Sequence, residues 1–215
     1  MGILQQNVIN KYGKRTVMQK ASYMKTISKE VIEFIARLEG MRRNVYLDEG
    51  GYPTIGIGHL LTGAERASGN IFIDGEECPI ARGLTIAQCC KLLKADLKNP
   101  AATVNQSVLV EINRNQFDAL VSFVFNVGGS AFTHSKLLQC INRGEFKLVP
   151  EQLRRWVFVN GRRSEGLRRR REAEIVLWNT PVNEEAFAGS MRKIGRIDPP
   201  TPRKSWYAKL FWFMR

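Results

Sequence analysis

The sequence predicts an α+β fold with two lobes, in which a small β-hairpin or meander lobe and a helical lobe are joined by a long helix, with a cleft between them. Three observations indicate this arrangement. Residues 27–38 follow a helical apolar pattern, and a glycine-rich segment of strand-forming residues comes directly after them. An amphipathic helical pattern over 84–97 then leads to residues 117–127, which are apolar nearly all round, as expected of a buried central helix.

The first predicted helix lies in the stretch TISKEVIEFIARLEG, which runs from Thr26 to Gly40. Its large apolar side chains fall on one helical stripe. Ser28 is a good N-cap residue, and Gly40 can end the helix because glycine readily adopts the backbone conformation found just past a helix. Glu39 is therefore expected in the last turn, next to whatever structure follows.

The next segment, VYLDEGGYPTIGIGH (45–59), predicts a strand, a turn and a second strand, because β-forming residues flank the glycines and Pro53. Residues 62–83 are rich in Gly, Ser, Asp and Pro and predict a loop. The stretch LTIAQCCKLLKADL (84–97) predicts the amphipathic linking helix, with Thr85 at its N-cap.

The helical lobe begins with NRNQFDALVSFVFNVGGSAF (113–132), which contains the predicted central helix. Three further segments predict helices with short connections: HSKLLQCINRG (134–144), VPEQLRRWVFV (149–159) and GLRRRREAEIVLW (166–178). The four consecutive arginines at 168–171 cannot share one face of the last helix. A mixture of solvated and ion-paired arginines is therefore expected, with acids such as Glu172 or Glu174 as partners.

The basic charge of the chain lies at its two ends. The formal net charge is +13, of which residues 1–25 hold +5 and residues 191–215 hold +6, leaving +2 for residues 26–190. A central part that is nearly neutral and has no recognised nucleic-acid-binding motif argues against nucleic acid as a partner. The expected organisation is a basic extension at 1–25, a globular domain at 26–180 and a basic, proline-containing, aromatic extension at 181–215.

Cysteine use and hydropathy limit the redox chemistry and the location that the sequence allows. The four cysteines, Cys78, Cys89, Cys90 and Cys140, lack the spacing of a zinc site, and no metal or other cofactor is expected. Buried free thiols are the simplest expectation, while a disulfide of Cys78 stays open. No apolar run approaches the ~20 residues of a membrane span, and the N-terminal stretch lacks the apolar core of a secretory signal. We expect synthesis in a reducing cytoplasm.

One short stretch gathers acids, a hydroxyl and flexible backbone: EGMRRNVYLDEGGYPTIGIGHLLTG, residues 39–63. Hydrolysis of a glycosidic bond needs one acid to protonate the leaving oxygen and a second group to manage a water or the charged sugar. Glu39 is suited to the first task, since apolar neighbours favour a protonated carboxyl group. Asp48 in a polar turn and the hydroxyl of Thr54 can hold a water for the second. The glycines between them let the backbone approach a sugar ring.

The spacing of these residues, EG-x-R-x3-Y-x-D-x2-G-x2-TIG-x-GH, closely resembles that of the phage-type lysozymes, the endolysins of glycoside hydrolase family 24. The resemblance extends from about Ile27 to Trp178 and includes the central and closing helical segments. It implies a lysozyme-like fold and hydrolysis of the β-1,4 bond between N-acetylmuramic acid and N-acetylglucosamine in peptidoglycan. It also implies a monomeric catalytic domain that degrades the bacterial cell wall for phage lysis or entry.

The resemblance implies a role for each motif residue by its position. Glu39 takes the role of general acid. Asp48 and Thr54 take the role of positioning and activating a water on the opposite face of the sugar. Inversion of the anomeric centre is the outcome for the T-even type of the family, and it is our hypothesis for this chain.

Further residues around the motif also gain roles from the resemblance. His59 and Asp96 are expected to form a structural ion pair, which we favour over a catalytic role for the histidine. The implied substrate contacts are Leu60, Phe125 and Ser135, because aliphatic and aromatic groups suit the faces of sugars and hydroxyls suit their polar groups. Phe125 is equally suited to the core.

The basic extensions depart from the compact members of the family. One hypothesis is attachment to an anionic surface of the cell envelope, aided by the aromatic stretch SWYAKLFWFMR (205–215). The other is docking to a phage virion or tail protein. A rival function is a non-catalytic assembly protein on a lysozyme scaffold, and the intact motif argues against it. We expect action on cell-wall peptidoglycan after synthesis in the host cytoplasm, with association with the virion as the alternative.

Overall fold

A computed structural model describes residues 24–48, 50–159 and 161–182 of the chain. The predicted extensions, apart from a few residues next to the domain, lie outside the described residues. Within those residues, no helix combines the length and the apolar character that crossing a membrane requires.

Helix α1, Lys29–Glu39, begins and ends as its sequence predicts. The hydroxyl of Ser28 accepts a hydrogen bond from the Val31 N–H at 3.0 Å. Gly40 follows the helix with φ +72°, a conformation that other L-residues avoid. The apolar stripe of α1 is buried, and Glu39 in the last turn is left at the edge of the core.

Three short strands form the antiparallel sheet of the small lobe: β1 (Arg42–Leu47), β2 (Pro53–Gly56) and β3 (His59–Leu60), in the order β1-β2-β3. Tyr46 lies opposite Thr54 in the register, and Thr54 lies opposite Leu60. This confirms the predicted meander, and it places Asp48 at the start of the turn between β1 and β2.

The prediction of a loop over residues 62–83 is wrong. The segment contains α2 (Gly63–Ser68), the antiparallel hairpin of β4 (Asn70–Ile73) and β5 (Glu76–Pro79), and a 3₁₀ turn (Ile80–Arg82). Thr62 and Glu65 form a capping box that starts α2, since each side chain bonds the backbone N–H of the other. Asp74 and Gly75, with φ +52° and +84°, supply the two-residue turn that a tight hairpin needs.

The predicted linking helix is in two parts, α3 (Ile86–Asp96) and α4 (Lys98–Ser107). A capping box of Thr85 and Gln88 starts α3, which confirms the predicted N-cap. Leu97, between the two parts, keeps right-handed helical backbone angles. Pro100 has no N–H to donate to the carbonyl of Asp96 one turn earlier, so the hydrogen-bond ladder is interrupted there.

The helical lobe contains α5 (Arg114–Val127), α6 (Gly129–Thr133), α7 (Lys136–Asn142), a 3₁₀ turn (Phe146–Leu148), α8 (Val149–Arg154), the hairpin of β6 (Phe158–Val159) and β7 (Arg162–Arg163), and α9 (Glu165–Asn179). Helix α5 is the buried centre and packs against α1, α4 and α9. The prediction of a helix over 149–159 is wrong beyond Arg154. The stretch WVFV (156–159) is aromatic and β-branched, which favours a strand, and its last two residues form β6.

A single hydrophobic core connects the two lobes through α1, α3 and α5. Phe123 on α5 lies edge-on to Phe132 and to Trp156, with ring centroids 6.2 Å and 5.3 Å away. All four cysteines are buried and free, so Cys78 forms no disulfide in this structure.

Candidate active site

Glu39 faces an arginine rather than the purely apolar neighbours that its sequence suggests. The guanidinium Nη1 of Arg170, on α9, donates a hydrogen bond to Glu39 Oε1. Gly58 lies on the other side, where a Cβ atom would come within 3.1–3.3 Å of the Glu39 carboxyl group. The absence of a side chain at Gly58 thus gives Glu39 the space it occupies. The Glu39 side chain is 22% exposed and stays open to solvent.

Arg170 belongs to a buried ionic cluster between α5 and α9. Its Nε contacts Glu174 Oε1 at 3.2 Å, and its Nη2 donates to the Ser122 carbonyl at 3.1 Å. Arg171 Nε lies 3.0 Å from Glu174 Oε2, and its Nη2 donates to Asn126 Oδ1 at 2.8 Å. The Ser122 hydroxyl donates to Glu174 at 2.8 Å. The carboxylate of Glu174, joined by that of Glu39 whenever Glu39 is ionised, therefore balances the two guanidinium charges.

Burial acts differently on the two arginines. It lowers the pKa of Arg170, but the charges of Glu39 and Glu174 outweigh this and leave the pKa raised. Burial, aided by the like charge of Arg170, lowers the pKa of Arg171 to about 10 against the opposing charges of Glu174 and Glu39. The Arg171 guanidinium also lies 4.8 Å from the ring centroid of Phe123, a cation–π contact.

The other two arginines of the run are exposed, and both pair with Glu165 in the first turn of α9. All four arginines are therefore ion-paired, two at the surface and two in the interior, rather than a mixture of solvated and paired side chains, and the predicted partner Glu174 is confirmed. Glu172 instead pairs with Arg154 at 2.9 Å. The sequence pattern predicts ion pairs for these arginines, but it does not predict the contact between Arg170 and Glu39.

Asp48 is fixed by the turn that it opens. Its Oδ1 accepts hydrogen bonds from the N–H groups of Gly50 at 2.9 Å and Tyr52 at 2.8 Å. Its own N–H donates to the Tyr52 carbonyl at 3.0 Å, and Gly51, with φ +83°, donates to its carbonyl at 3.0 Å. The two bonds to Oδ1 hold the carboxylate and the other two hold the backbone of the turn, while Oδ2 accepts no hydrogen bond from the described residues.

Thr54 is connected to Asp48 through one backbone carbonyl. The Thr54 hydroxyl donates to the Tyr52 carbonyl at 3.0 Å, the same oxygen that accepts the Asp48 N–H. Thr54 is only 1% exposed, since it lies on the central strand of the sheet. Its hydroxyl therefore has lone pairs left to accept a hydrogen bond, but it is enclosed rather than displayed on the surface.

The phenol of Tyr46 is influenced by the charges of both carboxylates. The residue is half-buried on β1, opposite Thr54, and the Arg42 guanidinium lies 4.4 Å from its ring centroid. Burial and then the negative charges of Glu39 and Asp48 raise the pKa of Tyr46 to about 12. Both carboxylates are thus close enough to act on one phenol, which stays protonated near neutral pH. Tyr46 is part of the sequence motif, but the spacing of the motif residues does not predict that the charges of Glu39 and Asp48 both act on it.

His59 lies between two acids. Its Nδ1 is 2.9 Å from Asp96 Oδ2, and its Nε2 is 3.2 Å from Glu65 Oε1. Because both ring nitrogens face carboxylates, the doubly protonated ring suits the site. Burial lowers the pKa of His59, but hydrogen bonding and charge from Asp96 and then Glu65 outweigh it and leave the pKa raised. The expected partner Asp96 is present, and Glu65 is an additional one.

Replacing His59 by glutamine is expected to reduce stability by about 2 kcal/mol at pH 6, since charged hydrogen bonds to two acids are lost. The raised folded-state pKa means that this stabilisation is complete below the unfolded value of about 6.5. It is lost as pH rises through the higher folded value. Urea unfolding from pH 6 to pH 9 measures the difference between wild type and variant.

The control for this prediction is His134→Gln, which changes an exposed histidine at the end of α6. That change is expected to cost less than about 0.5 kcal/mol. A difference between wild type and His59→Gln that stays constant or grows toward pH 9 would contradict the charged pair.

The three predicted substrate contacts lie in different environments. Leu60, on β3, is 53% exposed and lies beside Thr54 in the sheet. Phe125 is half-buried and packs against the core, as the alternative interpretation expects. Ser135 is buried and is the N-cap of α7, donating to the Phe132 carbonyl at 2.6 Å and accepting from the Leu138 N–H at 3.0 Å. A substrate contact of Ser135 is therefore not supported, because its hydroxyl is engaged within the fold.

Known proteins share both the sequence and the fold of this chain. The family model for phage lysozyme matches residues 36–174. A SAR-endolysin of Bacteriophage PS119 is 38% identical over 143 residues, which are 66% of this chain and 77% of the relative.

Two solved structures extend the likeness to three dimensions. An endolysin from Escherichia coli O157:H7 phage FAHEc1 has a TM-score of 0.60 at 30% identity, covering 72% of this chain and 94% of that one. The muramidase domain of SpmX from Asticaccaulis excentricus has a TM-score of 0.59 at 31% identity, covering 73% of this chain and 99% of that one. These likenesses confirm the predicted lysozyme-like α+β fold.

Proposed function

This chain belongs to the phage lysozyme family, and from that membership and the geometry of the site we propose that it is a muramidase acting on peptidoglycan. The bond cleaved is the β-1,4 bond between N-acetylmuramic acid and N-acetylglucosamine. The observation that supports the proposal is that the two carboxylates lie at the two ends of one short strand: the turn before β2 holds Asp48, and Gly58, two residues after β2, packs against the Glu39 carboxyl group. Two carboxyl groups flanking one bond are what glycoside hydrolysis requires.

Glu39 acts as the general acid and donates its proton to the glycosidic oxygen. Arg170 holds Oε1 in place, so the other carboxyl oxygen is left for the substrate on the side of Gly58. Once the proton has left, the Arg170 guanidinium stabilises the carboxylate that forms. Because the buried cluster fixes Arg170, this stabilisation needs no rearrangement during the reaction.

Asp48 positions the attacking water on the other face of the sugar, with Thr54 as its helper. The turn holds Asp48 through Oδ1, which leaves Oδ2 directed to a water. Thr54 has an acceptor position left on its enclosed hydroxyl, and it also fixes the Tyr52 carbonyl on which the turn depends. Thr54 is therefore a positioning residue, and water attack by this route inverts the anomeric centre.

The stereochemical outcome can be read directly. Proton NMR of early products is expected to show the α-anomer first, because a single displacement inverts the β-linkage. The β-anomer as first product would contradict the water-positioning role and indicate a covalent intermediate on Asp48 instead.

The experiment that tests the proposed function is digestion of purified peptidoglycan, followed by borohydride reduction and mass analysis of the fragments. A muramidase leaves N-acetylmuramic acid at the new reducing ends, so reduced muramic acid is the expected product. New reducing ends on N-acetylglucosamine would indicate a glucosaminidase, and new amino groups without reducing ends would indicate a peptide-bond hydrolase. An intact polymer would favour the non-catalytic scaffold.

The site of action is the peptidoglycan of the cell wall, which the catalytic domain, 26–180, reaches as a monomer. The two basic extensions, 1–25 and 181–215, attach it to an anionic surface of the envelope. The excess of positive charge in both segments supports this assignment. Docking to a virion or tail protein is the alternative use of the same segments, and co-sedimentation of the full chain with anionic lipid vesicles or with purified virions separates the two.

A further inference from the structure

Tyr52 is an aromatic residue next to the candidate active site, and the proposed reaction makes no use of its ring. It directly follows the turn between β1 and β2, and it is 63% exposed. A single exposed tyrosine is ordinary on a protein surface. What distinguishes Tyr52 is that both its backbone and its ring lie next to Asp48, the residue proposed to position the attacking water.

The backbone of Tyr52 connects two of the proposed functional groups. Its N–H donates to Asp48 Oδ1 at 2.8 Å. Its carbonyl accepts from the Asp48 N–H and from the Thr54 hydroxyl, both at 3.0 Å. These three hydrogen bonds mean that Tyr52 cannot shift without moving Asp48 or Thr54. The position of its side chain is therefore tied to the position of the groups that hold the water.

The ring of Tyr52 packs on Gly50, directly beside the Asp48 carboxylate. A Cβ atom on Gly50 would lie 2.9 Å and 3.0 Å from the ring atoms Cδ2 and Cε2 of Tyr52, and 3.3 Å from Asp48 Oδ1. The ring and the carboxylate thus approach the same point above the turn, and a glycine leaves that point free. The ring is supported from below by the turn, while most of its surface stays open to solvent.

The strand register shows which face of the small sheet carries this ring. Tyr46 and Leu60 both lie opposite Thr54. Side chains that lie opposite each other, and those two apart along a strand, point to the same face of a sheet. Asp48 and Tyr52 follow from Tyr46 and Thr54 by this rule, so all of them share one face. A polymer that lies on this face above Asp48 would contact the Tyr52 ring.

The chemistry around the ring indicates which part of a wall polymer it contacts. A pyranose ring presents C–H groups on its faces, and aromatic side chains suit such apolar surfaces. The stem peptides of peptidoglycan carry carboxylates, which the neighbouring charge of Asp48 repels. A neutral sugar of the glycan strand therefore fits beside Asp48 better than an acidic peptide does.

We propose that the ring of Tyr52 is a stacking platform for a neutral sugar of the glycan strand, which it holds next to Asp48. The proposal rests on the proposed function for the identity of the polymer, but the stacking contact requires only that a glycan binds. The face of the ring makes the contact, so the phenol hydroxyl is not needed. Because the ring contacts the bound substrate and the transition state alike, its loss is expected to raise KM and leave kcat nearly unchanged.

The test measures binding and hydrolysis separately on the full chain. Binding is measured in the Glu39→Gln background, with a hexamer of N-acetylglucosamine as the glycan probe and a free stem peptide as the second probe. Fluorine NMR of protein labelled with 3-fluorotyrosine follows the Tyr52 ring, whose signal is identified by its absence from Tyr52→Phe. Tyr52→Ala removes the ring, and Phe72→Ala, which removes a 69% exposed ring on β4, is the matched control.

The fluorine signal of Tyr52 is expected to shift on addition of the hexamer and not on addition of the peptide. Tyr52→Ala should weaken hexamer binding about tenfold, the usual size of a lost aromatic contact. Tyr52→Phe and Phe72→Ala should stay within about threefold, since the first keeps the ring face and the second lies away from the site. With Glu39 intact, Tyr52→Ala should raise KM on soluble peptidoglycan fragments by about the same factor, with kcat within about threefold.

Four results would overturn the proposal: no binding of the hexamer, hexamer affinity that Tyr52→Ala leaves unchanged, an equal loss in Tyr52→Phe, or a signal shift with the peptide alone. A fall in kcat of Tyr52→Ala at constant KM would also refute it, because that result assigns Tyr52 only to the support of Asp48. The thermal unfolding midpoint of each variant shows that the fold is kept. If wild type failed to hydrolyse peptidoglycan, the muramidase proposal would fail, while the binding experiment would still decide the role of the ring.

Discussion

Substitution of Glu39 by glutamine is expected to lower kcat on purified peptidoglycan by about 10³-fold or more, because the amide cannot donate a proton to the leaving oxygen. The fold should survive. Arg170 keeps Glu174 and the Ser122 carbonyl as partners, and glutamine still offers an oxygen to the guanidinium. Initial rates from release of reducing ends, together with the thermal unfolding midpoint, separate loss of chemistry from loss of structure.

The matched control is Glu33→Gln, a half-buried glutamate on the same helix. It lies outside the ionic cluster, and its pKa is raised mainly by burial. Its activity should stay within about threefold of wild type, as for a change away from the reacting atoms. If Glu39→Gln hydrolyses the wall at a tenth of the wild-type rate or faster, the assignment of the acid is wrong.

Substitution of Glu174 by glutamine is expected to destabilise the protein by about 3–5 kcal/mol, the usual effect of removing one partner from a buried ion pair. Glu174 is completely buried and contacts Arg170, Arg171 and the Ser122 hydroxyl. Loss of its charge leaves two buried guanidinium groups with only the carboxylate of Glu39 to balance them. Urea unfolding at neutral pH, with the midpoint and slope both fitted, measures the change.

The control for the second prediction lies two residues away on α9. Glu172→Gln removes an exposed partner of Arg154 and is expected to cost less than about 0.5 kcal/mol, since exposed ion pairs contribute little. If Glu174→Gln and Glu172→Gln were equally stable, the buried ionic cluster would not be what stabilises the packing of α9 against the rest of the domain.

Elements with strong local signals could be predicted from the sequence. Ser28 and Gly40 define the two ends of α1, and the glycines around Asp48 define the turn of the meander. Residues 62–83 show the limit of judging by composition alone. Two short patterns in this segment do indicate structure. Thr62 with Glu65 corresponds to the hydrogen bonds of a capping box, and Asp74–Gly75 corresponds to the backbone angles of a two-residue hairpin turn.

Features that depend on distant parts of the chain could not be predicted in this way. Arg170 and Glu39 are 131 residues apart, and their contact exists only because α9 packs beside the end of α1. The four arginines indicate ion pairs, but the acid that each one meets is decided by packing. Burial is also a property of the whole fold. Thr54 and Ser135 have the hydroxyl groups that a sugar site requires, yet both are enclosed, one within a sheet and one at a helix start.

The central claim is that Glu39 and Asp48 act together on one glycosidic bond from opposite sides. The most direct measurement is kcat/KM for Glu39→Gln, Asp48→Asn and the double variant on the same soluble peptidoglycan fragments. Residues that act as a unit show strongly non-additive losses, so the double variant is expected within about tenfold of the weaker single variant. If the loss in kcat/KM of the double variant equalled the product of the two single-variant losses, the two residues would act independently. That result would contradict the claim.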